Sequence, residues 1–206
     1  MNLRRVGVLG GSFDPPHLAH LALARTAIDA LKLDELRWLP AAAPWQKAGR
    51  VITDTVHRRA MVAALIASQP RMAIDDRELK RGGVTYTIDT VRELVAESPD
   101  TDWFLIIGQD QYARFDTWRD WRELLGQVTL AVAARAGEPP QAPAALAAVP
   151  HRMVVLPMPR TDIAARDVRK RRASGEDIAA LVGDPVAGYI ARHALYTSRA
   201  TGQPRS

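Results

Sequence analysis

The sequence predicts an α/β protein in which one doubly wound, mainly parallel sheet carries helices on both faces, with a small helical extension at the C-terminus. Short apolar runs alternate with longer segments of helical period, and this alternation favours a parallel sheet. The 206 residues fit a single domain, and a composition of 47% hydrophobic and 25% charged residues is typical of a globular protein. We find no internal repeat in the sequence.

Six apolar runs predict the strands of this sheet. In chain order they are residues 6–9, 35–39, 72–75, 103–107, 129–133 and 153–156. Six segments of helical period predict the helices, at residues 18–31, 54–68, 87–97, 118–125, 165–174 and 185–193. Asp184 and Pro185 predict where the last helix begins, because aspartate caps helices and proline is preset for the first helical position.

Two stretches lack a period. Residues 136–150 are rich in alanine and proline, and we expect a surface excursion there with one short helix around residues 144–148. The small, polar and basic residues 197–206 predict a disordered tail, which leaves residues 1–196 as the folded domain. The sequence has no apolar run of membrane-spanning length, and a cleaved leader would remove the motif described next, so we expect a cytoplasmic protein.

The loop after the first predicted strand has the features of a phosphate-binding site. Gly10 and Gly11 follow the strand, a proline pair comes next, and His17 and His20 lie at the start of the first predicted helix. Glycine lets backbone N–H groups approach an anion, a helix N-terminus offers unpaired donors, and the imidazoles add positive charge. Residues three apart share a helix face, so both imidazoles can reach one ligand. We predict that this segment binds the phosphates of a nucleotide.

Other phosphate and metal sites fit the sequence less well. No G-x-x-x-x-G-K-[ST] is present, and Gly7, Gly10 and Gly11 do not form the G-x-G-x-x-G fingerprint. Zinc needs at least three protein ligands, and the histidines other than His17 and His20 are scattered without ligand spacing. The chain has no cysteine, which excludes thiolate chemistry and disulfides. We therefore expect no side-chain metal site.

The formal net charge of +5 favours anionic partners such as nucleotides. Much of the positive charge is concentrated within residues 166–172, without the interleaved aromatic residues or the reading motif of a nucleic-acid module. We expect no nucleic-acid partner. A polynucleotide-binding module around this cluster is an alternative that predicts steeply salt-dependent binding.

A second polar loop, Gly108-Gln109-Asp110, follows the fourth predicted strand. In an open parallel sheet, ligands bind beyond the carboxyl ends of the strands where the strand order reverses. If the first and fourth predicted strands are neighbours, this loop and the histidine loop meet at one site.

The histidine loop resembles the Gly-x-Phe-x-Pro-x-His-x-Gly-His signature of the HxGH nucleotidyltransferase superfamily. The matching residues are Gly11, Phe13, Pro15, His17 and His20. The resemblance implies a Rossmann-like fold in which His17 and His20 are catalytic and stabilise charge at the α-phosphate and on the leaving pyrophosphate. Ala19 stands where that superfamily has glycine close under the base, and its methyl group would shift the backbone or weaken ATP binding.

The segment from Ile107 to Trp118 resembles the Ile-Gly-x-Asp…Phe-x-x-Trp segment of the bacterial nicotinate-nucleotide adenylyltransferases. The resemblance implies that Asp110 holds a ribose hydroxyl and that Trp118 stacks on the nicotinate ring. An indole face suits a flat cationic pyridinium ring. The simpler interpretations are a helix cap for Asp110 and a half-buried packing residue for Trp118.

Three further matches to this family concern the mononucleotide and the phosphates. Thr85, Tyr86 and Thr87 resemble its Ser-Tyr-Thr segment, which implies a helix start whose backbone receives the nicotinate carboxylate. A simple threonine cap also accounts for Thr87. Lys47 matches a basic residue that contacts phosphate, and Arg135 matches an arginine near the triphosphate.

Residues 163–169 resemble the family motif Ile-Ser-[Ser/Ala]-Thr-x-x-Arg with two departures. Arg169 keeps the arginine, whereas Ala164 and Arg166 replace hydroxyl residues that hold the ATP phosphates. Each lost neutral hydrogen bond costs about 1 kcal/mol, which a charge-assisted contact from Arg166 would offset. The resemblance thus implies an ATP site made by Gly10, Gly11, Ser12, Phe13, His17, His20, Gly108, Asp110, Arg135, Arg166 and Arg169.

The resemblance as a whole implies an enzyme that joins ATP and nicotinate mononucleotide into deamido-NAD and pyrophosphate, with Mg²⁺ bound through the ATP phosphates. We expect no membrane partner. Two alternatives stay open beside it. One is a sister enzyme, such as a pantetheine-phosphate or cytidylyl transferase. The other is a nucleotide-binding protein that has lost catalysis, which the departures at Ala19, Ala164 and Arg166 keep open.

Overall fold

The computed structural model describes residues 3–44, 52–135, 138–159 and 161–197, without the side chains of Pro44 and Arg135. Within these residues the strands are Arg4–Gly11 (β1), Glu35–Pro40 (β2), Ala43–Pro44 (β3), Met72–Ile74 (β4), Val84–Thr85 (β5), Thr101–Gly108 (β6), Thr129–Arg135 (β7) and Met153–Met158 (β8). The six predicted strands are all present. The short strands β3 and β5 were not predicted, because two residues carry no period.

The main sheet has the order β4-β2-β1-β6-β7-β8, and every neighbouring pair in it is parallel. The chain builds outward from β1 through β2 to β4, then returns to the other side of β1 and builds outward again through β8. The predicted doubly wound parallel sheet is therefore confirmed. The order reverses between β1 and β6, whose pairing runs from Arg4 opposite Thr101 to Val8 opposite Leu105.

The helices cover both faces of this sheet. In chain order they are Leu18–Leu31 (α1), Thr55–Ile66 (α2), Arg77–Arg81 (α3), Thr87–Glu97 (α4), Gln109–Tyr112 (α5), Trp121–Gln127 (α6), Ala144–Ala147 (α7), Ala165–Ala173 (α8), Ala179–Val182 (α9) and Asp184–Arg192 (α10). The short helix α7 confirms the prediction for residues 144–148. The small helices α8 to α10 form the predicted C-terminal extension. Among the described residues, no helix is both long enough and apolar enough to cross a bilayer.

Two hydrophobic cores lie on opposite faces of the sheet. Along β6, Phe104 and Ile106 belong to the core beneath α1 and α2, whereas Leu105 and Ile107 belong to the core beneath α4 and α6. Successive strand residues point to opposite faces, so a strand covered on both sides is apolar without alternation. This is why short continuous apolar runs were sufficient to locate the strands.

The predicted helix at residues 118–125 is wrong at its start. Residues Phe115–Thr117 form a 3₁₀ turn, Trp118 is extended with φ −76° and ψ 144°, and α6 begins only at Trp121. The Trp118 ring stacks on Phe115 with the centroids 5.1 Å apart. Trp118 therefore ends this turn and precedes α6 rather than beginning it. The cap of α10 also differs from the prediction, because Gly183 is the cap and Asp184 is already helical.

Candidate active site

A cavity of about 650 Å³ lies at the carboxyl ends of β1 and β6. The loop after β1, the first turn of α1, the start of α4 and the end of β6 contribute to its walls. The two loops expected to meet at the reversal of strand order do meet there, because β1 and β6 are neighbours. The cavity therefore occupies the position at which doubly wound sheets bind ligands.

The turn between β1 and α1 depends on Phe13 as much as on its glycines. Phe13 has φ +47°, the left-handed conformation, and its ring is 2% exposed. The ring packs on Trp38 and on His20, with centroid distances of 5.2 and 5.3 Å. A Cβ on Gly11 would lie 3.0 Å from the Phe13 ring. Gly11 is needed so that this ring can pack, while Phe13 adopts the left-handed backbone that sequence reasoning would assign to a glycine.

The imidazoles of His17 and His20 stack at the start of α1, with centroids 3.7 Å apart and an interplanar angle of 25°. The backbone N–H of His17 donates to Nδ1 of His20 at 3.2 Å. Since Nδ1 accepts, the neutral His20 ring carries its proton on Nε2 and can donate from that atom. The two rings lie side by side, but His17 is the extended cap residue of α1, with φ −146° and ψ 171°, and only His20 is helical. Their joint action on one ligand stays a prediction.

His17 is 7% exposed, and its Nδ1 atom has no hydrogen-bond partner among the described residues. Burial lowers the pKa of His17 to about 4. At neutral pH the ring is therefore neutral, and it acts as a hydrogen-bonding group rather than as the positive charge expected from sequence. Because His17 lines the cavity, this unpaired ring nitrogen is available to bond a ligand.

The second polar loop contributes Gly108 and Asp110 to the same cavity. Gly108 ends β6, and Asp110 lies in the first turn of α5. Gln109 points elsewhere: its amide and carbonyl bond the backbone of Gln141 at 3.1 Å each and tie the excursion before β8 to this loop. Asp110 is exposed at the rim, where its carboxylate can accept hydrogen bonds from a ligand.

Trp118 forms part of the cavity wall. Its ring stacks on Phe115 in the interior, and its Nε1 atom is buried without a partner among the described residues. Trp118 also packs half-buried against the core, so the packing interpretation and the binding interpretation both fit its position. The indole has one flat face, which can stack on an aromatic ring, and one N–H, which can donate to a ligand.

Thr85 and Thr87 also line the cavity, at the start of α4. Thr87 is the first helical residue rather than the cap, which is Tyr86. The simple interpretation of Thr87 as a threonine cap is therefore wrong. The N-terminus of this 11-residue helix faces the cavity and can bind an anion through its unpaired N–H groups.

A buried polar group, from a segment that also resembles the family's Glu-x-x-Arg pattern, lies behind this helix start. Glu78, which is 7% exposed, accepts a hydrogen bond from the Thr90 hydroxyl at 2.8 Å. Arg81 donates to the same hydroxyl at 2.7 Å. Burial raises the pKa of Glu78, while Thr90, Arg81 and Thr85 counteract that rise. The signal in the sequence is a carboxylate seven residues before Thr85, but only the fold shows that both line one cavity.

Several predicted site residues lie away from the cavity wall. Tyr86 is covered by Arg119, whose guanidinium carbon is 4.8 Å from the ring centroid. The Arg166 side chain is 83% exposed and pairs with Asp167 at 3.2 Å, so it points to solvent. The ATP role of Arg166 stays a prediction that this side-chain position does not support. Lys47 and the side chain of Arg135 lie outside the described residues.

Arg169 does not line the cavity itself but contacts a residue that does. It lies on α8 and its Nη1 donates to the backbone carbonyl of Asp14 at 2.5 Å, next to the histidine loop. Ala164 lines the cavity at the start of the same helix, where the family motif has a hydroxyl residue. The altered motif thus lies beside the loop of residues 12–17 between β1 and α1, called the phosphate loop below. The Arg169 side chain contacts that loop at the Asp14 backbone carbonyl.

Comparison with known proteins agrees with this geometry. The sequence profile of the cytidylyltransferase-like family matches residues 8–171. A protein of Methylibium petroleiphilum, named probable nicotinate-nucleotide adenylyltransferase, is 49% identical over 205 residues, or 98% of this chain and 96% of the relative. The chain belongs to the nicotinate-nucleotide adenylyltransferase family. A Bordetella petrii member with the same name is also 49% identical, across 94% of this chain and all of its own length.

Solved structures of the family share the fold. The nicotinic acid mononucleotide adenylyltransferase of Plasmodium falciparum, complexed with APC, superposes with a TM-score of 0.76 at 17% identity. The match covers 94% of this chain and 97% of that one. The same protein complexed with NaAD gives a TM-score of 0.76 at 18% identity.

Proposed function

We propose that the protein transfers the adenylyl group of ATP to nicotinate mononucleotide, which yields deamido-NAD and pyrophosphate in NAD biosynthesis. The observation that carries this proposal is that one cavity joins the stacked pair His17 and His20 to the indole of Trp118. The first group suits phosphates and the second suits a pyridine ring. Family membership at 49% identity supports the same activity.

At the phosphate end, catalysis needs positioning and charge stabilisation rather than a covalent intermediate. The phosphate of the mononucleotide attacks the α-phosphorus of ATP, the bond to the bridging oxygen breaks, and pyrophosphate leaves with the electron pair. Negative charge grows on that leaving group, so donors aimed at it lower the barrier. The Nε2–H of His20, the ring of His17 and the N-terminus of α1 supply such donors.

At the mononucleotide end, three groups of different chemistry line the cavity. The indole of Trp118 can stack on the cationic pyridinium ring. The N-terminus of α4 at Thr87 can receive the nicotinate carboxylate, and the carboxylate of Asp110 can accept from a ribose diol. This division of roles is the one that the family resemblance implies.

We also propose that Mg²⁺ accompanies ATP. The carboxylate of Asp14, which lines the cavity near the histidines, is already bonded to the Tyr196 hydroxyl at 2.6 Å. In the described part of the chain no group of three or more histidine, aspartate or glutamate residues could hold a metal ion. These residues fit an ion held by phosphate oxygens and water, with Asp110 at the rim able to bond its hydration shell. When bound, Mg²⁺ neutralises phosphate charge. A cytoplasmic location fits a protein that uses ATP.

The decisive experiment is pyrophosphate release from ATP and Mg²⁺ with three acceptors: nicotinate mononucleotide, nicotinamide mononucleotide and phosphopantetheine. We expect rapid turnover with nicotinate mononucleotide and much slower turnover with the other two. Turnover with phosphopantetheine alone would indicate a sister enzyme. A folded sample that binds ATP and releases no pyrophosphate with any acceptor would reject the proposed reaction.

A further inference from the structure

Asp14 is a buried carboxylate three residues before His17, and it contacts Tyr196 in the segment that follows α10. It is 6% exposed and lines the cavity. The Tyr196 hydroxyl donates to its Oδ1 at 2.6 Å, and the backbone N–H of Thr53 approaches Oδ2 at 3.5 Å. Asp14 and Tyr196 are separated by 182 positions in the sequence. The phosphate loop is thus bonded directly to the residues that follow α10.

Arg58 also bonds the loop between β1 and α1 that contains Asp14. It is 1% exposed, and its guanidinium donates to three backbone carbonyls: Thr53 at 2.8 Å, Ser12 at 2.8 Å and Ala42 at 3.0 Å. These carbonyls belong to the segment before α2, the loop after β1 and the loop after β2. The guanidinium also lies within electrostatic range of Asp14. Arg58 therefore holds three loops together while balancing the charge of the buried carboxylate.

The tyrosine hydroxyl is a reliable donor in this network. Burial and the neighbouring Asp14 carboxylate raise the pKa of Tyr196 well above its usual value, so the hydroxyl stays protonated. Leaving a buried carboxylate without a donor is costly, because charged acceptors depend on their hydrogen bonds more than neutral ones do.

Two residues in the segment that carries Tyr196 have a left-handed backbone. Ala194 and Tyr196 have φ values of +48° and +58°, in the left-handed region that residues with a side chain rarely adopt. Each such residue costs free energy and persists where tertiary contacts over-determine it. Ala194 is left-handed because it ends α10 in a Schellman arrangement, in which the Leu195 N–H bonds the Ile190 carbonyl at 3.0 Å. For Tyr196, the hydroxyl bond to Asp14 is a tertiary contact that can hold its left-handed conformation.

We propose that Tyr196 is a positioning residue: its hydroxyl bond to Asp14 holds the turn that presents His17 and the N-terminus of α1 to the triphosphate. The expected change in kcat/KM rests on the proposed adenylyl transfer, whereas the expected change in the order of the turn does not. It assigns to the residues that follow α10 a role in organising the site.

The test compares Tyr196→Phe with Tyr189→Phe. Both variants remove one tyrosine hydroxyl from the same C-terminal region, but among the described residues the Tyr189 hydroxyl bonds His57 at 3.0 Å rather than the loop that holds Asp14. For Tyr196→Phe we expect kcat/KM for ATP to fall about 10- to 100-fold, the range for losing a hydrogen bond to a charged group. We expect KM for ATP to carry most of the loss, and Tyr189→Phe to stay within about twofold of wild type.

A second readout does not depend on turnover. Hydrogen exchange of the peptide spanning residues 10–20 reports directly on the order of the turn. We expect Tyr196→Phe to speed exchange there about tenfold, whereas Tyr189→Phe leaves this peptide unchanged. An Asp14→Asn variant should give the same exchange pattern, and combining it with Tyr196→Phe should add little, because the two residues act as one unit.

Wild-type exchange and wild-type KM in a folded Tyr196→Phe protein would overturn the inference. Equal effects of Tyr196→Phe and Tyr189→Phe would also overturn it, because a general loosening of the C-terminal region would then explain both. If wild-type protein shows no turnover, the proposed reaction fails, and the exchange comparison still decides the role of Tyr196.

Discussion

His17 fixes the tautomer of His20, because its backbone N–H donates to the Nδ1 atom of the His20 ring at 3.2 Å. The proton of the neutral His20 ring then resides on Nε2. The two imidazoles also stack at 3.7 Å, so neither ring can turn without disturbing the other. The start of α1 is thus a preorganised pair of hydrogen-bonding groups, which is the form that charge stabilisation in a transition state requires.

Replacing His20 by alanine should lower kcat for pyrophosphate release about 10²- to 10³-fold, the usual cost of one preorganised donor. Arg25→Ala is the control, because Arg25 lies on the same helix and bonds Gln69, and neither residue lines the cavity. Steady-state kinetics with both substrates saturating would measure the effect. Near-full turnover in a folded His20→Ala protein would contradict the catalytic assignment.

Trp118→Ala should raise KM for nicotinate mononucleotide about 10- to 30-fold, the range for losing a desolvated cation–π contact. The stacking is present in both the ground state and the transition state, so kcat should change little. Trp118→Phe keeps an aromatic face and should stay within about threefold of wild type. A fall in kcat with KM unchanged would argue against a role in binding the mononucleotide.

The stability of the protein should depend on His17 between pH 4 and 6.5. Burial lowers the pKa of His17 to about 4 in the folded protein, against 6.5 in the unfolded chain. Between these values the unfolded chain binds the extra proton, so the free energy of unfolding falls as the pH falls. The full loss from this residue is about 3 kcal/mol.

His17→Gln removes that titration. Urea unfolding at pH 7, 6, 5 and 4 should show a shallower acid loss of stability in this variant than in wild type, with the difference growing toward pH 4. Parallel curves for the two proteins would mean that His17 is not held neutral in the folded state.

Thr90→Val should lower the free energy of unfolding by about 1–3 kcal/mol, because it removes the hydroxyl that bonds the buried Glu78 carboxylate. Arg81 loses its acceptor at the same time. The matched control is Thr55→Val, whose hydroxyl bonds the exposed Asp54 carboxylate; surface changes of this kind stay within about 0.5 kcal/mol. Equal stabilities of the two variants would show that the Glu78 network contributes nothing to folding.

Short-range patterns predicted most of the fold. The six main strands followed from continuous apolar runs, and the long helices followed from their period, because each signal is contained in a dozen neighbouring residues. The prediction failed at the start of residues 118–125, where Trp118 is extended and lies in the cavity wall. Its stacking partner Phe115 is only three residues away, but a hydrophobic period alone does not distinguish this turn from a helix start.

Arg58 shows a signal that sequence reasoning could have used. It occupies the same stripe of α2 as Met61, Val62 and Leu65, at spacings of three, four and seven residues. An arginine in register with a buried apolar stripe predicts a buried charge with dedicated partners. Its acceptors, the carbonyls of Ser12, Ala42 and Thr53, are unpredictable from the stripe itself.

The sequence by itself determined the alternation of strands and helices and the placing of His17, His20 and Asp110 after strands. Local patterns suffice for this, because period and turn chemistry are properties of adjacent residues. Only the tertiary structure decided that His17 is neutral, that Arg166 points to solvent and that Tyr196 bonds Asp14 across 182 positions. These properties depend on burial and on partners from distant segments, which exist only once the sheet has brought those segments together.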